Sequence, residues 1–340
     1  MISQSEAAPS ITRAMGPIVS VVLPAYNAEK TITETLRSVQ NQTHCHLEII
    51  VVDDGSTDRT SDIVVREAAL DPRIRLLSKP NGGVASARNF GIAAATSELI
   101  ATIDADDLWH PNKIEKQLAL MQAMGTDTGL VYCWSLIIDE LGRVTARHKP
   151  EAEGEVMAEM CRRNLPGNGS SVLMRKCALV EAGGYDSALW AAGAQGAEDL
   201  KLYQAIAADY RFGVVKEYLT AYRRWPNNMS NDMMRMLKSF DIVFADSSER
   251  YPDYYVDLCA GRNLIVKNYL LRSLSSWQFG LASRFLVRLL RQDYRFALRQ
   301  LLSIPFTLLN LALSPKPNAD AIQAKWKNMV ACRAPKRGGR

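Results

Sequence analysis

L-E-I-I-V-V-D-D-G, residues 47–55, joins an unbroken aliphatic run to an acidic, glycine-bearing turn. Continuous rather than alternating apolarity marks a parallel strand covered on both faces, because helices lie against either side of such a sheet. Upstream, I-V-S-V-V-L at 18–23 has the same character and stops at Pro24, and residues 29–42 between the two runs carry Ile32, Leu36 and Val39 at helical spacing. Strand, helix and strand form one unit, and the alternation continues downstream. A helix is expected over 57–69, a short strand over 74–77, an N-G-G loop at 81–83, a helix to Ala95 and a strand over 99–103. This order predicts a doubly wound α/β sheet. Ligands of such sheets bind beyond the carboxyl ends of the strands, where Pro24, Asp53, Asp54, Asp104 and Asp106 all fall.

From Asn112 the pattern is mixed. A helix is expected to Met124, a strand over 130–134, a turn at 140–142, a weakly patterned stretch to Gly169, a strand over 171–174 and a helix over 199–208. Beyond Met233 nearly everything reads as helix. The chain has 340 residues, 47% hydrophobic and 23% charged, an ordinary balance for one large or two modest globular domains. Its longest apolar runs fall well short of the ~20 residues that span a bilayer, and residues 1–16 lack the pattern of a signal peptide, so a cytoplasmic location is expected. Six scattered cysteines with no C-x-x-C pair indicate neither a zinc site nor a disulfide framework. The four histidines have no ligand or triad spacing. The net charge of +5 is unevenly divided: residues 251–340 hold 15 Lys/Arg against 4 Asp/Glu, leaving 26 against 32 for residues 1–250. The acidic body argues against nucleic-acid binding, whereas the basic end suits an anionic membrane surface or an acidic protein.

The acidic turn D-A-D-D at 104–107 follows an apolar strand directly. Alternate residues of an extended segment point the same way, so Asp104 and Asp106 are expected to face one cleft. Carboxylates this close repel one another unless a cation lies between them. Oxygen ligands without His or Cys favour Mg²⁺ or Mn²⁺, with phosphate completing the coordination. The plain alternative is an acidic turn that caps the following helix.

P-A-Y-N at 24–27, V-V-D-D-G-S-T-D at 51–58, N-G-G-V-A-S-A-R-N-F-G at 81–91 and D-A-D-D together resemble a family 2 glycosyltransferase of the GT-A fold, and G-G-Y-D at 183–186 and Glu198-Asp199 continue the resemblance in order. It covers roughly residues 18–230. It implies a Rossmann-like nucleotide-binding half (17–110), an acceptor half (111–250), a basic helical region (251–313) and a basic tail (314–340), after a flexible leader (1–16). It also implies inverting transfer of one sugar from a nucleotide-diphosphate donor, UDP being favoured, to the hydroxyl of a glycan or lipid-linked acceptor in surface polysaccharide synthesis, with Mn²⁺ or Mg²⁺ on the diphosphate.

By the same resemblance, Pro24, Tyr26 and Asp54 hold the base, Arg88 contacts nucleotide or diphosphate, Asp104 approaches the ribose, Asp106 binds the metal with Asp107 behind it, and Asp199 is the general base. The residues themselves leave plainer readings open: Tyr26-Asn27 as a turn, Arg88 as a solvated surface arginine, Glu198-Asp199 as a favourable helix N-terminus. Y-R-R-W at 222–225 departs from the family, which commonly has His where Trp225 stands. Arg223 or Arg224 is then expected to compensate at the diphosphate, or Trp225 to stack on the acceptor or serve as a core or lid aromatic. Ala221 replaces the Gln of the processive Q-x-x-R-W pattern, consistent with addition of a single sugar.

In the basic end, helices are expected over 277–291 and 294–313 with Asp293 as an N-cap. Arginines at helical spacing beside aromatics suit a membrane interface over 277–313, or a helical pair packed on the body with a solvated basic face. Two rival functions are a noncatalytic scaffold of the same fold and a sugar-phosphate nucleotidylyltransferase. The second lacks support, since residues 19–26 have no glycine-rich loop ending in Lys or Arg to cradle a triphosphate.

Overall fold

The computed structural model describes residues 16–225, 228 and 232–301. The expected leader before Gly16, the far part of the second basic helix beyond 301, and the tail 314–340 lie outside the described residues.

Strands Val19–Ala25 (β1), Leu47–Asp53 (β2), Ile74–Ser78 (β3) and Leu99–Thr102 (β4) alternate with helices Ile32–Gln40 (α1), Thr60–Leu70 (α2) and Gly83–Ala94 (α3). They lie parallel in the order β3-β2-β1-β4. The winding direction therefore reverses between β1 and β4, and a crevice opens beyond the ends of those two strands. Burial on both faces is visible within β1: Val19, Val21 and Leu23 pack with Ile32, Leu36 and Ile114, while Val22 packs with Ala85, Ala87 and Ile92 of α3.

The rest of the sheet is mixed. After Leu108–Trp109 (β5) and helix Lys113–Met124 (α4) come Thr128–Ile138 (β6), Val144–His148 (β7), helix Met157–Arg162 (α5) and Val172–Arg175 (β8). Helices Lys176–Glu181 (α6), Ala188–Ala191 (α7) and Glu198–Asp209 (α8) precede Arg211–Arg223 (β9). The sheet continues from β4 as β8-β6-β9-β5, with β7 paired to β6 off that path. Strand β8 is antiparallel to β4 and to β6, and β9 is parallel to β6. Three of these strands, β5, β7 and β9, were not expected from the sequence, and β6 is longer than the expected 130–134.

Helices Met233–Arg250 (α9), Tyr255–Ser275 (α10) and Phe279–Gln292 (α11) follow. Met233 and Leu237 of α9 join Val266, Leu270, Phe285 and Leu289 in a core of their own. Helix α10 also presses against α5: a Cβ on Gly261 would collide with the Cys161 carbonyl oxygen. Asp293 caps as expected, its Oδ1 accepting the Phe296 N–H at 2.9 Å, and helical backbone runs over 294–301. Among the described residues no helix is long and apolar enough to cross a membrane.

Candidate active site

A cleft of about 860 Å³ opens at the reversal point between β1 and β4. Of the sequence-predicted residues, Pro24, Tyr26, Arg88, Asp104, Asp106, Glu198, Asp199 and Trp225 line it. Tyr26 stands exposed at the end of β1 because the next residue turns the chain sharply. Asn27 adopts φ 48°, a left-handed conformation that Asn tolerates. Its Oδ1 accepts the Thr57 N–H at 2.8 Å, clipping the turn to the loop after β2.

Asp53 and Asp54 are buried and engaged with the protein. Asp53 accepts from the Ser56 N–H at 3.0 Å and from the Ser61 hydroxyl. Asp54 accepts from Lys79 Nζ at 2.6 Å and from the N–H groups of Gly82 and Gly83 at 3.0 and 2.8 Å. It thereby caps the positive end of α3, and it is not among the residues lining the cleft.

Arg88, on α3 and 2% exposed, is the electrostatic centre of the cleft. Its Nη1 donates to Asp199 Oδ1 at 2.8 Å and its Nη2 to Asp104 Oδ1 at 2.6 Å, with Glu198 3.7 Å away. Burial works against its charge, but Asp104 and Asp199 beside it push its pKa well above the usual arginine value. The Tyr185 ring of the G-G-Y-D turn lies 5.0 Å from the guanidinium, and that turn is held to α3 by Asn89, which donates to the Tyr185 carbonyl at 2.7 Å. Gly169 leaves room for the pair: a Cβ there would lie 2.5 Å from Arg88 Nη2 and 3.4 Å from Asp199 Oδ2. The plain reading of Arg88 as a solvated surface residue is thus overturned.

Asp199 sits in the first turn of α8. Burial pushes its pKa up to about 7, the charges of Glu198 and Asp104 adding to the rise and Arg88 opposing it. Asp106 is pushed up to about 6 by burial and by Asp104, against the pull of the Trp225 N–H and Arg223. The indole Nε1 of Trp225 donates to Asp106 Oδ2 at 3.0 Å.

Asp107 and Arg223 form the frame behind the acidic turn. Asp107 is fully buried and accepts from the Ser170 hydroxyl and the Arg223 N–H. Arg223 donates Nε to the Asp106 carbonyl at 2.9 Å and Nη2 to Glu34 at 2.7 Å. Its guanidinium is spent on the turn, and it is not among the residues lining the cleft.

Asn164, Gly167, Asn168 and Gly169 line the cleft as well, in a stretch that looked unpatterned. The signal was its N-L-P-G-N-G composition, a set of turn-forming residues that fixes a loop rather than leaving it loose. Asn168 Nδ2 is anchored to Ser135 on β6 at 3.0 Å.

Asp104, Asp106, Glu140, Glu198 and Asp199 line the cleft against Arg88 and Lys30, so carboxylates outnumber cations. Among the described residues no group of three or more His, Cys, Asp or Glu is placed to enclose a metal. Asp106 nonetheless offers a hard oxygen donor whose neighbours repel an anion, which fits a divalent cation that draws its remaining ligands from a bound phosphate and water.

A family model described as Glycosyl transferase family 2 matches residues 20–181. Uncharacterized glycosyltransferase MJ1057 of Methanocaldococcus jannaschii is 30% identical over 213 residues, covering 61% of this chain and 71% of that protein. The putative teichuronic acid biosynthesis glycosyltransferase TuaG of Bacillus subtilis is 44% identical over 106 residues, 31% of this chain and 42% of TuaG. The chain thus spans less than half the length of TuaG and of several other relatives it matches. Among solved structures, the mannosyltransferase PcManGT of Pyrobaculum calidifontis, in complex with GDP-Man and Mn²⁺, superposes with a TM-score of 0.58 at 20% identity, covering 93% of this chain and 84% of that one. At that identity the likeness is one of fold.

Proposed function

We propose that this chain, which belongs to glycosyl transferase family 2, transfers one sugar from a nucleotide-diphosphate donor to an acceptor hydroxyl, with inversion, in the synthesis of a surface polysaccharide. What supports this reading most is the convergence, on the single guanidinium of Arg88, of Asp199 and of the acidic turn, residues 111 and 16 positions away in the chain. An inverting transfer needs one base on the face of the sugar opposite the leaving diphosphate, and one carboxylate suffices. Asp199 has that chemistry. Its pKa of about 7 makes it both substantially ionised and strong enough to accept a proton at neutral pH.

In this reading Tyr26 and Pro24 flank the base of the donor, and Asp104 meets its ribose. Arg88 keeps Asp199 ionised and aimed into the cleft while it holds Asp104 in place. Asp199 takes the acceptor proton as the hydroxyl oxygen attacks the anomeric carbon. Asp106 would hold Mn²⁺ or Mg²⁺, which would supply a Lewis acid for the leaving diphosphate. Trp225 orients Asp106 through its N–H and presents its ring to the acceptor side. The acceptor is a glycan or a lipid-linked glycan, in keeping with TuaG's naming for teichuronic acid biosynthesis. UDP is the nucleotide that the sequence resemblance favours, whereas PcManGT holds GDP-Man, so the donor test spans both.

The test is release of nucleotide diphosphate from a panel of UDP-, GDP- and dTDP-sugars with Mn²⁺, comparing wild type with Asp199→Asn. The expected result is turnover of donors sharing one base, lowered about 10²- to 10⁴-fold in the variant. Equal release by both proteins would contradict the assignment of the base.

A further inference from the structure

Helix α11 carries apolar side chains on two opposite faces, and only one face is used internally. On α11, Ala282, Phe285 and Leu289 are buried in the C-terminal core. Val287 and Leu290 lie on the opposite face of α11 and are exposed, and Tyr294 and Leu298 in the helical stretch 294–301 are exposed as well. At the turn before α11, Trp277 is 79% exposed and Phe279 59%, their rings 5.8 Å apart edge to face. Contiguous apolar patches are rare on monomeric surfaces, and Trp277 and Phe279 touch in the open here.

The charges beside them have one sign. Arg284, Arg291, Arg295 and Arg299 are exposed over the same stretch of chain. Arg288, by contrast, is turned inward onto Asp241, and Asp293, the one acidic residue over 277–301, is occupied as a helix cap. Alternating exposed aliphatic, aromatic and arginine side chains with no free carboxylate match a bilayer interface, where rings and aliphatic groups enter the acyl boundary and guanidinium groups meet phosphate.

Placement adds a second observation. Asp232, Met233 and Met234 at the start of α9 share a cavity of about 420 Å³ with Arg272, Ser276, Gln278 and Leu281. Met236, in the same first turn of α9, lines the main cleft. The cavity beside the aromatic turn and the main cleft therefore both border the first turn of α9.

We infer that the outward face of α11 and residues 294–301, with the Trp277–Phe279 turn, docks on an anionic phospholipid surface and brings the cleft to an acceptor carried there. Docking needs neither donor nor turnover, so it stands or falls apart from the proposed reaction.

The test is co-sedimentation of the full chain with vesicles of phosphatidylcholine alone or mixed with phosphatidylglycerol, at low and high salt. Wild type is expected to bind the anionic vesicles at least tenfold more tightly than the neutral ones, and more weakly as salt rises. Arg284→Glu/Arg291→Glu/Arg295→Glu and, separately, Trp277→Ser/Phe279→Ser are expected to weaken that binding at least tenfold while circular dichroism and nucleotide affinity stay at wild-type values. Equal binding to both vesicle types overturns the proposal, as does anionic binding that survives both variants, which assigns the contact to residues beyond 301. A chain that ignores vesicles but forms a dimer broken by the arginine reversals overturns it too, and makes the face a self-association surface.

Discussion

Arg88 and Asp199 illustrate how a residue's environment sets its chemistry. A carboxylate sunk beside two others resists ionisation, and the guanidinium donating to it offsets part of that resistance. As the proposed base, Asp199 must be ionised to work, so kcat/KM is expected to climb as pH rises through about 7 and to fall about tenfold per pH unit below it, which a pH–rate profile on the chosen donor measures. Removing the cation with Arg88→Gln takes away the one influence that lowers the pKa of Asp199, so the acid limb moves to higher pH. A limb that stays in place would assign Arg88 a purely structural role. The motifs made Asp104, Asp106 and Asp199 legible as candidates. That Arg88 is spent on two of them was not legible, because an ion pair across 111 positions leaves no trace in local spacing. Asp54 shows the converse: its motif suggested a ligand contact, while its oxygens already serve Lys79 and the start of α3.

Elements buried on both faces were the readable ones. The runs of β1, β2 and β4 are continuous because a sheet layered by helices presents no polar side. Strand β9 escaped notice although it has 13 residues. Its pairing with β6 steps from Cys133↔Val215 to Trp134↔Tyr218, so Lys216 and Glu217 fall in a bulge and interrupt the alternation that marks a strand. The contact of α3 with the sheet depends on a residue without a side chain. A Cβ on Gly91 would meet Val22 Cγ1 at 2.6 Å and Val52 Cγ2 at 3.0 Å. Gly91→Ala is therefore expected to destabilise the fold by about 1–3 kcal/mol, seen as a melting temperature lowered by roughly 2–4 °C per kcal/mol. Because α3 carries Arg88, the same variant is expected to lower turnover; an unchanged melting temperature would mean that the helix shifts freely.

At the scale of the molecule, two differently built halves share one cleft. The parallel half contributes Pro24, Tyr26, Arg88, Asp104 and Asp106, and the mixed half contributes Asn168, Glu198, Asp199 and Trp225. The GT-A fold brings them together because β4 of the first half pairs with β8 of the second. An excess of carboxylates repels a bare diphosphate, and in the proposed function the diphosphate arrives with a divalent cation. That coupling is the central claim. It is tested most directly by calorimetric titration of UDP, GDP and dTDP into the protein with and without Mn²⁺, for wild type and Asp106→Ala. One nucleotide is expected to bind tightly only with the metal, and the variant is expected to lose that dependence along with most of the affinity. Binding as tight without metal, or unchanged in the variant, would contradict a cation-dependent nucleotide site at Asp106.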